Sequence, residues 1–530
     1  MKVALGAALL LALALPAAAA PALAKVQVLR NGNGPEPDTL DPHRSEGVSS
    51  NNIVRDLYEG LTSFSPAGEI VPGAAASWEM DGAGTTYIFH LRPSARWSNG
   101  DAVTAEDFAS GLQRSVDPAT GSAFAQILAP IANAKAVIAR QQSPATLGVQ
   151  ALDAVTLQIR LTAATPYFLG LLTHPSTFPV HRPSLAKWGR DFARKGPLVS
   201  NGAFALGEWR EQAFVRLKRN VYYWNNAATR LDEVVYVPTE DINAELKRYR
   251  ADELDSSYEI PLLQAPWLKK KFGAELHIAP YLGSYYYGFN CSRPPFKNNP
   301  KLRAALTLAV DREVIVNKVM NGVALPATSF VPPGTWNYTP QQPEWASWPR
   351  AQRLALAKKL YAEAGYSEKT PLKIEFRYNS NDDHRRIAIV IAAMWKQWLG
   401  VQTTLVNEEF KVFLQNRKLR TVTQVFRSAW IADYDDASAF TDILQSHHGR
   451  NDSAWNSPAY DALLSQAAQQ PDAAARRALL QQAEQIIISD WPVLPIYTYV
   501  SKHLVKPWVA GWTDNPLDYH YAKDLAIFEH

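Results

Sequence analysis

A chain of 530 residues with 54 Lys and Arg against 50 Asp and Glu carries a formal charge of only +4, which gives it no pull towards nucleic acid or another strongly charged partner. It is too long for a single hydrophobic core and predicts roughly two to four domains. Its one cysteine, Cys291, excludes an intramolecular disulfide; flanked by Asn290, Ser292 and Arg293, it has no His or Asp beside it to activate a thiol.

The chain opens with the pattern of an export signal, spanning residues 1–24. Lys2 supplies the positive charge, Val3 to Leu15 the apolar stretch that Pro16 ends, and Ala22-Leu23-Ala24 the small-residue cleavage site. A membrane span needs roughly 20 apolar residues, and neither this run nor any later one reaches that. The cleavage site has no cysteine to carry a lipid, so a cleaved, lipid-free protein of a periplasm is expected.

Lys25 to Arg30 alternates as a strand, and Ile53, Leu57 and Leu61 are spaced as on a helix. Thr86 to Arg92 alternates again, and Thr104-Ala105-Glu106-Asp107 reads as a capping box for a helix with Phe108, Leu112 and Val116 on its apolar face. Strands follow at Val234 to Val237 and Tyr285 to Asn290. Helices are predicted over Asp241 to Arg250, with Glu245 and Arg248 on its surface, over Pro300 to Val310, and over Ala351 to Ala364 before Gly365. Leu372 to Tyr378 reads as a strand feeding a helix from Asn381 to Leu399, which Gly400 closes. The alternation of elements makes the class α/β or mixed α+β.

The segment Ser428-Ala429-Trp430-Ile431-Ala432-Asp433-Tyr434 places one acid behind a short strand-like run. An extended ligand pairing with that backbone would bring its cationic end to Asp433, which holds a peptide by its main chain and α-amino group. The competing local reading makes Asp433 the cap of a helix beginning near Asp436. For an exported hydrolase, the rival class, the short signatures of serine hydrolases, zinc proteases and phosphate-binding loops are all missing. Asp433-x-Asp435 is followed by Ser438 where a calcium loop needs glycine, so no metal is expected.

Several stretches taken in order then point to one family: Leu40-Asp41-Pro42-His43, Arg55 to Leu61, Phe89 to Arg92 through Trp97-Ser98-Asn99-Gly100, Gln113 to Pro118, His174 to Thr177, Tyr223 to Asn226, Asp311-Arg312 and Leu504 to Val509. The chain resembles the periplasmic oligopeptide-binding proteins of ABC importers, the large three-domain class of solute-binding proteins. The resemblance implies a periplasmic-binding-protein-like fold of two hinged lobes plus an accessory domain. The first lobe is discontinuous, 25–62, 187–282 and 500–530; the accessory domain is 63–186 and the second lobe 283–499. Also implied is a monomer that binds short peptides and serves a membrane permease complex, without cofactor, nucleic acid or chemistry of its own. The same fold serves murein tripeptides, an alternative ligand.

In the family the aspartate matching Asp433 meets the peptide α-amino group, and positions matching Ala429 and Ile431, on either side of Trp430, pair with the peptide backbone. Cationic positions meeting its carboxylate match His384, Arg417 and Arg427. Enteric members join two cysteines at the positions that read Gly283 and Ile431 here, Met320 stands for a lysine, and Ser50 and Gly288 stand for acids.

Overall fold

The computed structural model describes residues 22–195, 197–432 and 434–530, with the backbone alone for Lys195, Phe410 and Lys411. Most of the expected export signal therefore lies outside the described residues. Among the described residues no helix is long and apolar enough to cross a membrane.

Alternating apolar residues build a first sheet from β1 (Val28–Gly32), β2 (Phe204–Arg210), β3 (Phe214–Arg219) and β4 (Glu233–Val237), in the order β1-β4-β3-β2. The strand expected from Lys25 begins at Val28, because pairing with β4 starts at Val28 opposite Glu233. Between β1 and β2 the chain forms a separate antiparallel sheet from Ala75–Met80, Thr86–Leu91, Thr156–Arg160 and Val149–Ala151. Helix α1 (Ala105–Val116) belongs to the same region; the capping box of Thr104 and Asp107 is formed, and Phe108, Leu112 and Val116 are buried.

Helix α2 (Ile242–Arg250) starts at its Asp241 cap, as the sequence predicts, but Glu245 is not on its surface. It is 1 % exposed and accepts a hydrogen bond from the Tyr258 amide, since the chain after α2 folds back across the face that Glu245 occupies. Burial pushes its carboxyl up to about 7. A carboxyl raised in the folded state holds a proton that the unfolded chain has lost, so its contribution to stability declines as pH rises from the ordinary carboxylate range through about 7. Glu245→Gln keeps the acceptor for Tyr258, and its melting temperature is expected to fall less than that of the unaltered protein between pH 5 and pH 8.

The second sheet holds β5 (Leu276–Phe289), β6 (Leu325–Pro326), β7 (Lys373–Asn379), β8 (Gln402–Glu408), β9 (Val425–Ile431) and β10 (Val493–Leu504), in the order β6-β10-β5-β9-β7-β8. The long strands β5 and β10 run antiparallel from Leu276 opposite Leu504 to Gly288 opposite Val493. At one end Leu276 and Leu504 pack with Leu246 and Tyr249; at the other Tyr285, Tyr287 and Leu494 join Phe376 and Trp395 in a different core. Two strands thus connect two hydrophobic bodies. Helix α3 (Asp382–Leu399) begins at Asn381, whose side chain accepts from the Asp383 and His384 amides, and ends at Gly400 with φ of 73°. The left-handed value there is one that glycine adopts without strain.

Candidate ligand-binding site

Strand β9 carries the segment that the sequence singles out. Ile431 to Val425 pair antiparallel with Gly283 to Phe289 of β5, and just beyond, the Ala432 amide donates to the Leu282 carbonyl at 2.8 Å. Hydrogen-bonded and non-hydrogen-bonded pairs alternate in such a ladder. Ala432, Trp430 and Ser428 therefore face β5 with their main chain, and Ile431 and Ala429 turn their N–H and C=O groups to the opposite edge. There β7 pairs only with Val425 and Phe426. From Arg427 to Ile431 that edge carries no strand among the described residues, and Ala429 and Ile431 turn their main-chain groups to it.

The faces of β9 sort the predicted cations. Arg427 shares a face with Ala429 and Ile431, opposite Tyr287, Tyr285 and Gly283. Its guanidinium lies 4.8 Å over the Tyr285 ring and donates to the Tyr499 hydroxyl at 3.2 Å, while its Nε has no partner. His384, in the first turn of α3, reaches this face with Nδ1 3.2 Å from the Tyr285 hydroxyl. Burial, with the Arg427 charge adding to it, pushes the imidazole down to about 3. His384 is accordingly neutral and offers a hydrogen bond, not the positive charge the resemblance implies. Arg417, on α4 (Phe410–Leu419), comes to the other face, where it donates to Ser428 Oγ at 3.2 Å and pairs with Asp452 at 2.8 Å. Tyr285 and Tyr287 are fully buried with their hydroxyls 3.3 Å apart, as packing residues.

At its C-terminal end β9 runs into a cleft of about 980 Å³ walled by Phe124, Tyr167, Trp430, Ile431, Tyr434 and Arg476. Trp430 is fixed by its indole N–H, which donates to the Ala439 carbonyl at 2.7 Å. Tyr434 stacks on Tyr167 at 4.8 Å and 10°, and the Arg476 guanidinium sits 5.1 Å from the Tyr167 ring centre. Arg476, on α5 (Ala473–Asp490), is held by a two-pronged pair with Asp436 at 2.7 and 2.8 Å. Asp433 lies outside the described residues; its neighbours Ala432 and Tyr434 are respectively buried and in the cleft wall. The nearby helix runs Ser438–Thr441 instead of starting at Asp436, and the Asp436 carboxylate accepts from the Ser438 amide.

Sequence reasoning did not find Tyr167, Tyr499 or Arg476. Each comes to the site from a chain segment remote from β9, and none sits in a local pattern that marks it.

Comparison with known proteins decides the family. A model of the bacterial extracellular solute-binding proteins, family 5, matches residues 69–452. This chain belongs to that family. The solute-binding protein is 41% identical over 525 residues to the periplasmic oligopeptide-binding protein OppA of Escherichia coli, covering 98% of this chain and 96% of the relative. It is 40% identical over 511 residues to the probable deoxycholate-binding periplasmic protein YgiS of the same organism, covering 96% and 95%. Among solved structures it is similar to the murein tripeptide binding protein MppA of E. coli, with a TM-score of 0.85 and 36% identity, covering 96% of this chain and all of that one.

Within this family 5 chain the departures have physical consequences. Gly283 and Ile431 are directly opposite, and a Cβ on Gly283 would lie 2.4 Å from Ile431 Cδ1, so the isoleucine side chain fills the space over the glycine. Phe426 covers Gly288 in the same way. Ser50 is buried and bonded to Asp38, and Met320 is buried in the second core, where it offers no charge. Gly283 and Ile431 form a non-hydrogen-bonded pair, whose Cα separation of about 4.5 Å suits a disulfide. Gly283→Cys combined with Ile431→Cys is expected to form a disulfide on exposure to dissolved oxygen, which takes up the two hydrogen atoms, read as a mass loss of about 2 Da that reduction reverses.

Proposed function

We propose that this protein is a periplasmic receptor that captures short peptides between two closing lobes and delivers them to the permease of an ABC importer. The single observation that carries the reading is the open edge of β9, where Ala429 and Ile431 present their main-chain groups beside the cleft. A peptide adding there pairs through its backbone, which accepts many sequences, and the cleft receives side chains with water filling what they leave.

In this reading Asp433 meets the α-amino group, so the peptide runs antiparallel to β9 and its carboxylate lies towards Arg427. The unpartnered Nε of Arg427 supports that placement, with Arg417 and the neutral His384 serving peptides of other lengths and Trp430 walling the cleft. The lobes are 25–62, 187–282 and 500–530 against 283–499, with 63–186 as the accessory domain; β5 and β10 make the hinge between them. The protein is exported by a cleaved signal, carries no lipid and acts as a monomer. The likeness to the murein tripeptide receptor favours cell-wall peptides as a second ligand, since they offer the same free amino and carboxylate groups.

Incubation with a defined peptide mixture tests receptor against hydrolase. Bound peptides are expected to be recovered at full length; recovery of shortened products would reverse the assignment.

A further inference from the structure

Away from the cleft, three side chains near the end of β10 converge. His503 Nε2 lies 2.8 and 3.0 Å from the two carboxylate oxygens of Asp518, and His520 Nε2 lies 3.1 Å from the nearer one. One ligand atom from each residue falls within 4.8 Å of the others. Four-coordinate zinc holds N and O ligands at about 2.0–2.2 Å, which sets neighbouring ligand atoms about 3.3 Å apart. The ring nitrogens already stand close to that spacing from the carboxylate.

The hydrogen bonds behind these atoms are more telling. His503 Nδ1 is 3.0 Å from the Ser257 carbonyl. A carbonyl only accepts, so Nδ1 carries the proton and Nε2 directs its lone pair at a carboxylate that also only accepts. Two acceptors so placed require a cation between them, either a proton or a metal ion. A histidine whose far nitrogen donates to a carbonyl is the arrangement that orients imidazole ligands in metal sites. Trp512 stacks on His520 at 3.7 Å and meets His503 edge-on at 5.5 Å, fixing both rings. The three side chains keep 11–20 % of their surface exposed, which leaves a path for an ion and a water ligand.

We infer that His503, Asp518 and His520 bind a divalent transition-metal ion, with zinc(II) the ion their N and O atoms fit. The ion would tie the tail after β10 to the end of that strand. The other charged groups nearby are Lys502, Glu245 and, across Trp512, the His277–Asp514 pair.

Titration calorimetry of tag-free, chelator-washed full chain with zinc chloride tests this. The expected result is one ion per chain, with affinity at least tenfold lower in both His520→Ala and Asp518→Asn. His520→Ala leaves the His503–Asp518 pair intact, so it serves even where Asp518→Asn does not fold. No uptake by the unaltered protein, or equal affinity in the variants, would overturn the assignment.

Discussion

Asp433→Ala is expected to weaken binding of free peptides at least tenfold and to change binding of the same peptides acetylated at the N-terminus far less. In the proposed placement the ligand backbone pairs with Ala429 and Ile431, on the edge that β7 leaves open, and the acid two residues beyond Ile431 is in sequence position to meet the end of that backbone. A charge-assisted hydrogen bond from an ammonium is roughly twice as strong as a neutral one. Truncating one partner of a desolvated charge pair costs about 2–5 kcal/mol, of which tenfold in affinity is about 1.4 kcal/mol. An acetylated peptide has no charge for Asp433 to hold. Calorimetry with matched peptide pairs measures the difference, and equal losses for both members would remove Asp433 from the site.

Asp436→Ala is expected to be the most damaging substitution for stability near the cleft. Arg476 and Asp436 are 5 % and 2 % exposed and joined through both carboxylate oxygens. Removing the aspartate leaves an arginine buried without its counter-charge, which costs about 3–5 kcal/mol, and also removes the cap on the Ser438 amide. The effect should reach the cleft, because Arg476 lies against Tyr167 and Tyr167 stacks on Tyr434. Replacing both partners by apolar residues of similar volume, Asp436→Leu with Arg476→Met, is expected to recover most of the loss, since neither charge then remains to be desolvated. Urea unfolding of the three proteins measures this. A single variant as stable as the parent would show that the pair is not buried in solution.

Much of the architecture was legible because it rests on local physics. The Thr104 capping box, the start of α3 beside Asn381 and its stop at Gly400 are written in neighbouring residues and appear as predicted, whereas the strand expected over Tyr285 to Asn290 runs from Leu276 to Phe289. The candidate strand edge was legible in outline, as a strand-like run before an acid. What marks Ala429 and Ile431 as the residues that turn their main chain to it is the register with β5 and the early end of the pairing with β7, and no local pattern encodes either. Glu245 was misplaced for the same reason: helical spacing puts it on an outer face, and only the later return of the chain through Tyr258 buries it. His384 has the composition of a cation, but its charge depends on Arg427 and on burial, both supplied by tertiary structure. His503 and His520 sit 17 residues apart and meet through Asp518, a spacing that resembles no short metal motif.

The central claim is that the open edge of β9 holds a peptide by its backbone and its amino end. It is tested most directly by mass spectrometry of the ligand released from protein purified out of its own organism. Short peptides of mixed sequence with unblocked N-termini are expected, carried by the unaltered protein and largely lost from Asp433→Ala. A single non-peptide ligand, such as a bile acid, or peptides with blocked N-termini retained equally by both proteins, would contradict it.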